Sequence, residues 1–434
     1  MRFLYNVLFL TGFVLSAPFY FLKMVRRGNW SEGFGERFGN YDHRLKQALT
    51  NRHVIWFHAV SVGEVNLCTQ LIQVLEPRAP NYKIVVSTTT STGMAELQRL
   101  LPVHISKIYY PIDRRKHVQR AMGLIHPEAV VLVEAEIWPN FLWALQRREI
   151  PHFLVNARVS GRSFRGYRRF GFLFRELFAG FTGVGAQDEA DAQRLRELGC
   201  RPEAVHVVGN LKFGSAKLRE RRVLDVRGML RQLGVPAGAL VLVGGSTHAG
   251  EETILAGIHQ RLKQRYPGLF LILVPRHHER GREVGDALKG MGVKFVYRTE
   301  IRPETRMGEK SVDCLLVNTT GELRFFYEVA DVVFVGKSLT AEGGQNPIEP
   351  AALGKAVVFG PNMQNFPQVV PQFVARGGAL QVVDAEELER ELDQLLGDAG
   401  RRSRMGGLAR EVVRENQGSL EKTADMILEH LPPC

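Results

Sequence analysis

Cysteine is scarce in this chain: four residues in 434 (Cys68, Cys200, Cys314 and Cys434), far apart and in no CxxC or metal-ligand spacing. Nothing in them calls for a disulfide framework, an oxidising compartment or a structural metal. Acidic residues are also in deficit. Lys and Arg number 57 against 45 Asp and Glu, a net charge of +12. Such a surplus points to an anionic partner: nucleic acid, a membrane surface or a phosphorylated substrate. The nucleic-acid signatures are missing, with no RNP-type aromatic run, no paired Cys/His finger and no recognition-helix pattern. The balance therefore favours membrane or anionic lipid and no nucleic acid. With 45% hydrophobic and 24% charged residues the composition is that of a folded soluble protein, neither disordered nor polytopic in a membrane.

One apolar segment stands apart. Phe3 to Leu22 carries no charge over roughly twenty residues, about the length that crosses a bilayer. Arg2 precedes it, and Lys23, Arg26 and Arg27 follow, so the positive-inside bias leaves the remainder cytoplasmic. A cleaved signal peptide and a buried helix are the rival readings. Pro18 at the first mature position, and the apolar run on to Leu22, favour a retained membrane attachment. Asn6, Thr11, Gly12 and Pro18 interrupt the run and weaken full spanning more than attachment.

Beyond the anchor, short apolar runs alternate with amphipathic ones. Strands are expected at Val54–Val60, Ile84–Thr88, Ala129–Val133, His152–Asn156 and Val205–Val208. After the charged stretch Ser215–Gly234 they resume at Ala239–Gly244, Phe270–Val274, Lys294–Tyr297, Cys314–Asn318, Val332–Val335 and Ala356–Phe359. Repeated β-then-α order means parallel sheets covered on both faces. The fold class is α/β: an anchor over 1–25, a Rossmann-like domain over 26–215, and a second Rossmann-like domain over 216–434. A final helical run, Leu408–Leu431, is expected to pack back across the structure. Two such doubly wound domains place ligands at the carboxyl ends of their strands, in a cleft.

The chemistry-bearing residues cluster where strands end. Glu64, in His58–Glu64, opens a helix and suits a general base toward an acceptor hydroxyl, or simply complements the helix dipole. Glu134 and Glu136 with Trp138 suit a sugar or headgroup site, or form a helix-start acid pair with a core Trp. Arg158, Arg162, Arg165, Arg168, Arg169 and Arg175, interleaved with aromatics, make a solvated face or a dock for anionic lipid. Lys212, in Gly209–Phe213, can face a leaving phosphate. Gly244–His248 lets backbone amides approach phosphate ahead of Glu251 and Glu252. Arg276, after Pro275, is a phosphate fork. Gly343–Pro350 offers amides to a nucleotide phosphate and Glu349 to ribose hydroxyls, though Asp331, Asn346 and Glu349 also fit as ordinary caps.

Taken in order, GERFG (35–39), HAVSVGE (58–64), VEAEIWPN (133–140), NARVSGRS (156–163), GNLKF (209–213), STHAGEE (246–252), LVPRHHER (273–280), TTGEL (319–323) and GGQNPIEP (343–350) resemble the transferases of 3-deoxy-D-manno-octulosonic acid (Kdo). The resemblance runs through nearly the whole chain and implies the GT-B fold of two facing Rossmann-like domains, 26–215 binding the acceptor and 216–434 the CMP-sugar. It implies Glu64 as the general base, Lys212 near the departing phosphate, and Glu134 as an acid shaping the substrate, with Arg158 and Arg162 on the acceptor side. Pro275, Arg276, Thr320, Gly321, Glu322, Asn346, Pro347, Ile348 and Glu349 match the CMP-binding segments. Gln345 stands where the family usually has His, which puts one donor-side hydrogen bond in question. The implied reaction is an inverting, metal-independent displacement without cofactor, moving Kdo from CMP-Kdo to a lipid A precursor. The rival functions are another GT-B enzyme using a UDP-sugar and a non-catalytic lipid-binding protein.

Overall fold

The computed structural model describes residues 2–26, 31–134, 136–217 and 224–432. Arg27, Ala135, residues 218–223 of the charged stretch and Cys434 lie outside the described residues, as do the side chains of Lys23 and Arg26. The chain divides into two compact units: Met1–Gly214 together with Asn416–Cys434, and Ser215–Glu415.

The N-terminal unit holds seven parallel strands: β1 (His53–His58), β2 (Tyr82–Thr88), β3 (Ser106–Tyr109), β4 (Ala129–Val133), β5 (His152–Ala157), β6 (Gly183–Ala186) and β7 (Val205–Val207). Their order is β3-β2-β1-β4-β5-β6-β7. Side chains alternate along a strand, and both faces here are covered, so β1 reads as continuous apolar sequence. Val54 and Trp56 enter one core with Val130 and Leu132, whereas Ile55 and Phe57 enter the other with Val131 and Val133. Each fully buried side chain of this size contributes on the order of 2–3 kcal/mol of transfer free energy.

The C-terminal unit repeats the plan with β8 (Val241–Thr247), β9 (Phe270–Pro275), β10 (Phe295–Tyr297), β11 (Cys314–Leu316), β12 (Val332–Val335), β13 (Ala356–Phe359) and β14 (Ala379–Gln381). The order is β10-β11-β9-β8-β12-β13-β14, again parallel throughout. In both sheets the winding reverses beside the unit's first strand, between β1 and β4 and between β8 and β12.

Three strands escape the apolar pattern. β3 begins with Ser106 and Lys107, β6 is Gly-Val-Gly-Ala, and β14 is Ala-Leu-Gln with only Ala379 buried. The run 408–431 is two helices, Ala399–Glu415 and Ser419–Leu428, separated at Gly418, whose φ of 82° is left-handed. The second helix belongs to the N-terminal unit. Leu420, Ala424, Met426 and Ile427 complete the core beneath β1 and β4, and Arg78 meets Asp425 at 2.6 Å.

Candidate functional site

At the winding reversal of the N-terminal unit, β1 runs into a tight loop and then the helix Val62–Leu75. Ser61 is extended and caps that helix, accepting from the Glu64 N–H at 3.2 Å. Its hydroxyl donates to Glu64 Oε1 at 2.8 Å, and the Val60 N–H donates to Oε2 at 2.8 Å. The hydroxyls of Thr88 and Thr90 hold the Val60 carbonyl from the other side. The carboxylate is thus fixed in direction. Burial pushes its pKa up to about 7; the Val60 and Ser61 hydrogen bonds pull it down, and the charges of Glu134 and Glu136 add to the rise. A carboxyl group half ionised near neutrality is suited to accept a proton from a hydroxyl.

Glu134 leaves β4 in the left-handed region, φ 63°, a conformation costly for a side-chain-bearing residue and held here from outside. Its N–H donates to the Val155 carbonyl, and Asn156 Nδ2 reaches Glu134 Oε1 at 3.4 Å. Asn156 also accepts the Leu211 N–H at 3.0 Å. Gln187 donates to the Asn156 carbonyl, Asn210 donates to Gln187, and the Lys212 N–H donates to Asn210 Oδ1. This buried amide chain joins the ends of β5, β6 and β7 and sets Lys212 beside the acids. Burial lowers the Lys212 pKa, while Glu134 and Glu64 oppose that shift and Arg158 reinforces it. Glu136 accepts from the Trp138 indole at 2.7 Å and lies 3.7 Å from His58 Nε2. Glu64, Glu134, Glu136, Arg158 and Lys212 therefore form one electrostatic group. Arg162 is exposed on the helix Gly161–Arg169 and takes part in none of these bonds.

In the C-terminal unit the loops after β12, β8, β9 and β11 follow one another along the carboxyl edge of the sheet. Ser246, with φ 52°, leads to the helix Glu251–Leu262. A Cβ on Gly336 would sit 2.5 Å from the Ser246 carbonyl oxygen, so only glycine lets the two loops touch. The Gly344 and Gln345 N–H groups donate to the Lys337 and Gly336 carbonyls, drawing the Gly343–Pro350 loop to the same point. The Arg276 N–H donates to the Thr247 carbonyl, leaving its exposed guanidinium over the edge. Asn346 accepts the Ile348 N–H through Oδ1 and donates to Glu349 Oε1. Pro347 and Ile348 are buried beneath that turn. Thr320 and Gly321 stand exposed after β11, and Glu322 is engaged by Thr319 at 2.6 Å and by Arg298 at 3.1 Å.

Sequence reasoning passed over the residues that hold these loops. Glu251 is wholly buried and accepts four backbone N–H groups, from His248, Lys337, Ser338 and Leu339, at 2.7–2.9 Å. Glu252 accepts from Thr247 and from Arg280 at 2.8 Å. Two adjacent acids in a helix's first turn were their only sequence signal.

Two doubly wound parallel units, each with its loops gathered at the reversal, give the chain a GT-B-type α/β fold. The chain is similar in fold to a UDP-GlcNAc 2-epimerase from Neisseria meningitidis, with a TM-score of 0.56 at 13% identity, over 87% of this chain and 100% of that one. Sequence narrows the class. Residues 32–215 match the family described as 3-deoxy-D-manno-octulosonic-acid transferase (kdotransferase). The chain is 31% identical to the 3-deoxy-D-manno-octulosonic acid transferase of Haemophilus influenzae over 99% of both chains. It is 33% identical to that of Bordetella pertussis, over 96% of this chain and 97% of the other. The chain belongs to the Kdo transferase family, glycosyltransferases of lipopolysaccharide biosynthesis.

Proposed function

We propose that the protein transfers Kdo from CMP-Kdo to a sugar hydroxyl of a lipid A precursor, lipid IVA, by a single inverting displacement without a metal ion. The observation that carries this reading is the Glu64 carboxyl group, aimed by Ser61 and Val60 and titrating near pH 7. Glu64 takes the acceptor proton as the hydroxyl oxygen bonds to the anomeric carbon of Kdo. The bond from that carbon to the phosphate oxygen breaks, and CMP leaves with the electron pair. Lys212 and Arg276, with the amides after β8, meet the charge that develops on the departing phosphate. Pro275, the Thr320–Glu322 turn and the segment from Asn346 to Glu349 form the CMP seat. Glu134, Arg158 and Arg162 serve the acceptor, whose own phosphates match the basic segment. With Lys and Arg supplying the positive charge, the reaction needs neither a divalent ion nor a cofactor. The helix Arg2–Arg26, apolar over Arg2–Phe19, attaches the protein to the inner membrane with both units on the cytoplasmic side.

The test is CMP release from CMP-Kdo with a tetra-acylated lipid A precursor, wild type beside Glu64→Gln. Acceptor-dependent release lost in the variant, with CMP binding retained, supports donor, acceptor and base together. Unchanged release in the variant removes Glu64 from the mechanism. Greater thermal protection by UDP than by CMP sinks the donor assignment.

A further inference from the structure

The helix Arg2–Arg26 is long enough to cross a bilayer: 25 residues at 1.5 Å rise give about 38 Å, against a hydrocarbon core of about 30 Å. Crossing with both units in the cytoplasm would leave its first residues at the far side. Those residues are instead fastened to the N-terminal unit. The Tyr5 hydroxyl donates to Asp113 Oδ2 at 2.8 Å. Asn6 and Asn140 exchange reciprocal amide bonds of 3.3 and 3.0 Å. The Tyr5 ring meets Trp143 edge-on, and the Arg2 guanidinium lies over the same indole, 3.9 Å from Glu176. This is not a casual surface contact. Asp113 is 1% exposed and caps the helix Pro139–Arg147 through the N–H groups of Asn140 and Phe141.

The chain beyond the helix is held at the same place. The Ile112 N–H donates to the Arg37 carbonyl at 2.8 Å, and the Tyr109 N–H donates to Glu36 at 2.6 Å. Residues 112 and 113, adjacent in the chain, thus hold the start of the helix and the segment that follows it. A helix moored at its start could reach the opposite surface only if the chain came back through lipid as a single extended strand. Hydrocarbon offers no partner to that strand's backbone groups.

We infer that this helix does not cross the membrane. It lies within one leaflet, buckled at its start to Asp113 and Asn140, with Phe3, Leu4, Leu8, Leu15 and Phe19 turned to the acyl chains. Those side chains are 50–82% exposed in the protein alone, and the window Arg2–Phe19 has no buried residue. Charge complementarity identifies the occupant of this face as a lipid surface with anionic headgroups. The exposed Arg162, Arg165, Arg168 and Arg169, with Phe170 and Phe172, sit in the segment next to Glu176, where Arg2 lands. The inference rests on the membrane attachment proposed above and adds its topology.

The experiment uses the full chain in its native membrane, carrying a protease-sensitive tag before Arg2. Protease is added either to intact spheroplasts or to inside-out vesicles. Cleavage in the vesicles alone is expected, and cleavage in intact spheroplasts overturns the inference while leaving membrane attachment standing. A protein found wholly in the soluble fraction overturns both. The pair Asn6→Cys and Asn140→Cys gives an independent reading. With Cys434 replaced by Ser, copper-phenanthroline should join the two in membranes, where Cys68, Cys200 and Cys314 are buried and do not compete. Failure of that crosslink in a protein that still turns over also overturns the buckle.

Discussion

Glu64 and Glu251 occupy the same place in the two units: the first turn of the helix that follows the unit's first strand. Their surroundings differ. Glu251 is enclosed and spends its oxygens on four N–H groups from two loops, so it works as a clip. Glu64 is half-buried and bonds one N–H and one hydroxyl, with two further carboxylates nearby. The lesson is that topology assigns a position and hydrogen-bond saturation assigns the role. A fully satisfied carboxylate holds structure, while one left partly unsatisfied among like charges is ready for a proton.

That contrast can be broken at several points. The largest effect should come from Glu64→Gln. Loss of the base lowers turnover by about a thousandfold, with CMP affinity little changed. Glu251→Gln should do the reverse, costing about 3 kcal/mol of stability in the C-terminal unit in urea titration, because an amide cannot satisfy four donors. If its stability is unchanged and only turnover falls, the assigned roles are wrong. Lys212→Ala should reduce kcat about a hundredfold, with a smaller change in KM, in the CMP-release assay.

Smaller effects concern pH. The base works deprotonated, so kcat/KM should climb with pH through about 7 and level above it. Glu136→Gln removes one of the charges that raise the Glu64 pKa, so the midpoint of that limb should move to lower pH. The linkage to stability has a definite sign. The folded pKa is near 7 and the ordinary value 4.5, so the folded unit holds a proton that the unfolded chain has released between these values. Glu64 therefore becomes progressively more destabilising as pH rises through that window. Glu64→Gln should stabilise the protein relative to wild type at pH 8 and lose that advantage at pH 4.

Most of the fold was legible because parallel strands buried on both faces leave unbroken apolar runs, as in Val54–Phe57 and Ala129–Val133. β3, β6 and β14 were not, since a polar start, two glycines and a short strand ending in exposed Gln381 each erase that signal. Within the candidate site, Glu64 could be singled out because Ser61 and Gly63 announce the helix start within the same short motif. The chain Asn156–Gln187–Asn210 could not. Its members come from three strand ends far apart in sequence, and each alone reads as an ordinary polar loop residue. Glu251 was visible as an acid, but its partners at 337–339 belong to another strand's loop.

The helix Ser419–Leu428, which completes the N-terminal unit, has a consequence for how the protein is made. Its Ser419 donates to the Asn210 carbonyl, and the Tyr82 hydroxyl reaches the Pro432 carbonyl at 2.7 Å, so a segment translated after the C-terminal unit closes the N-terminal one. On the ribosome the half carrying Glu64 waits, its hydrophobic floor open, until the other half has been synthesised. A nascent chain that stalls within the C-terminal unit thus releases no finished N-terminal unit.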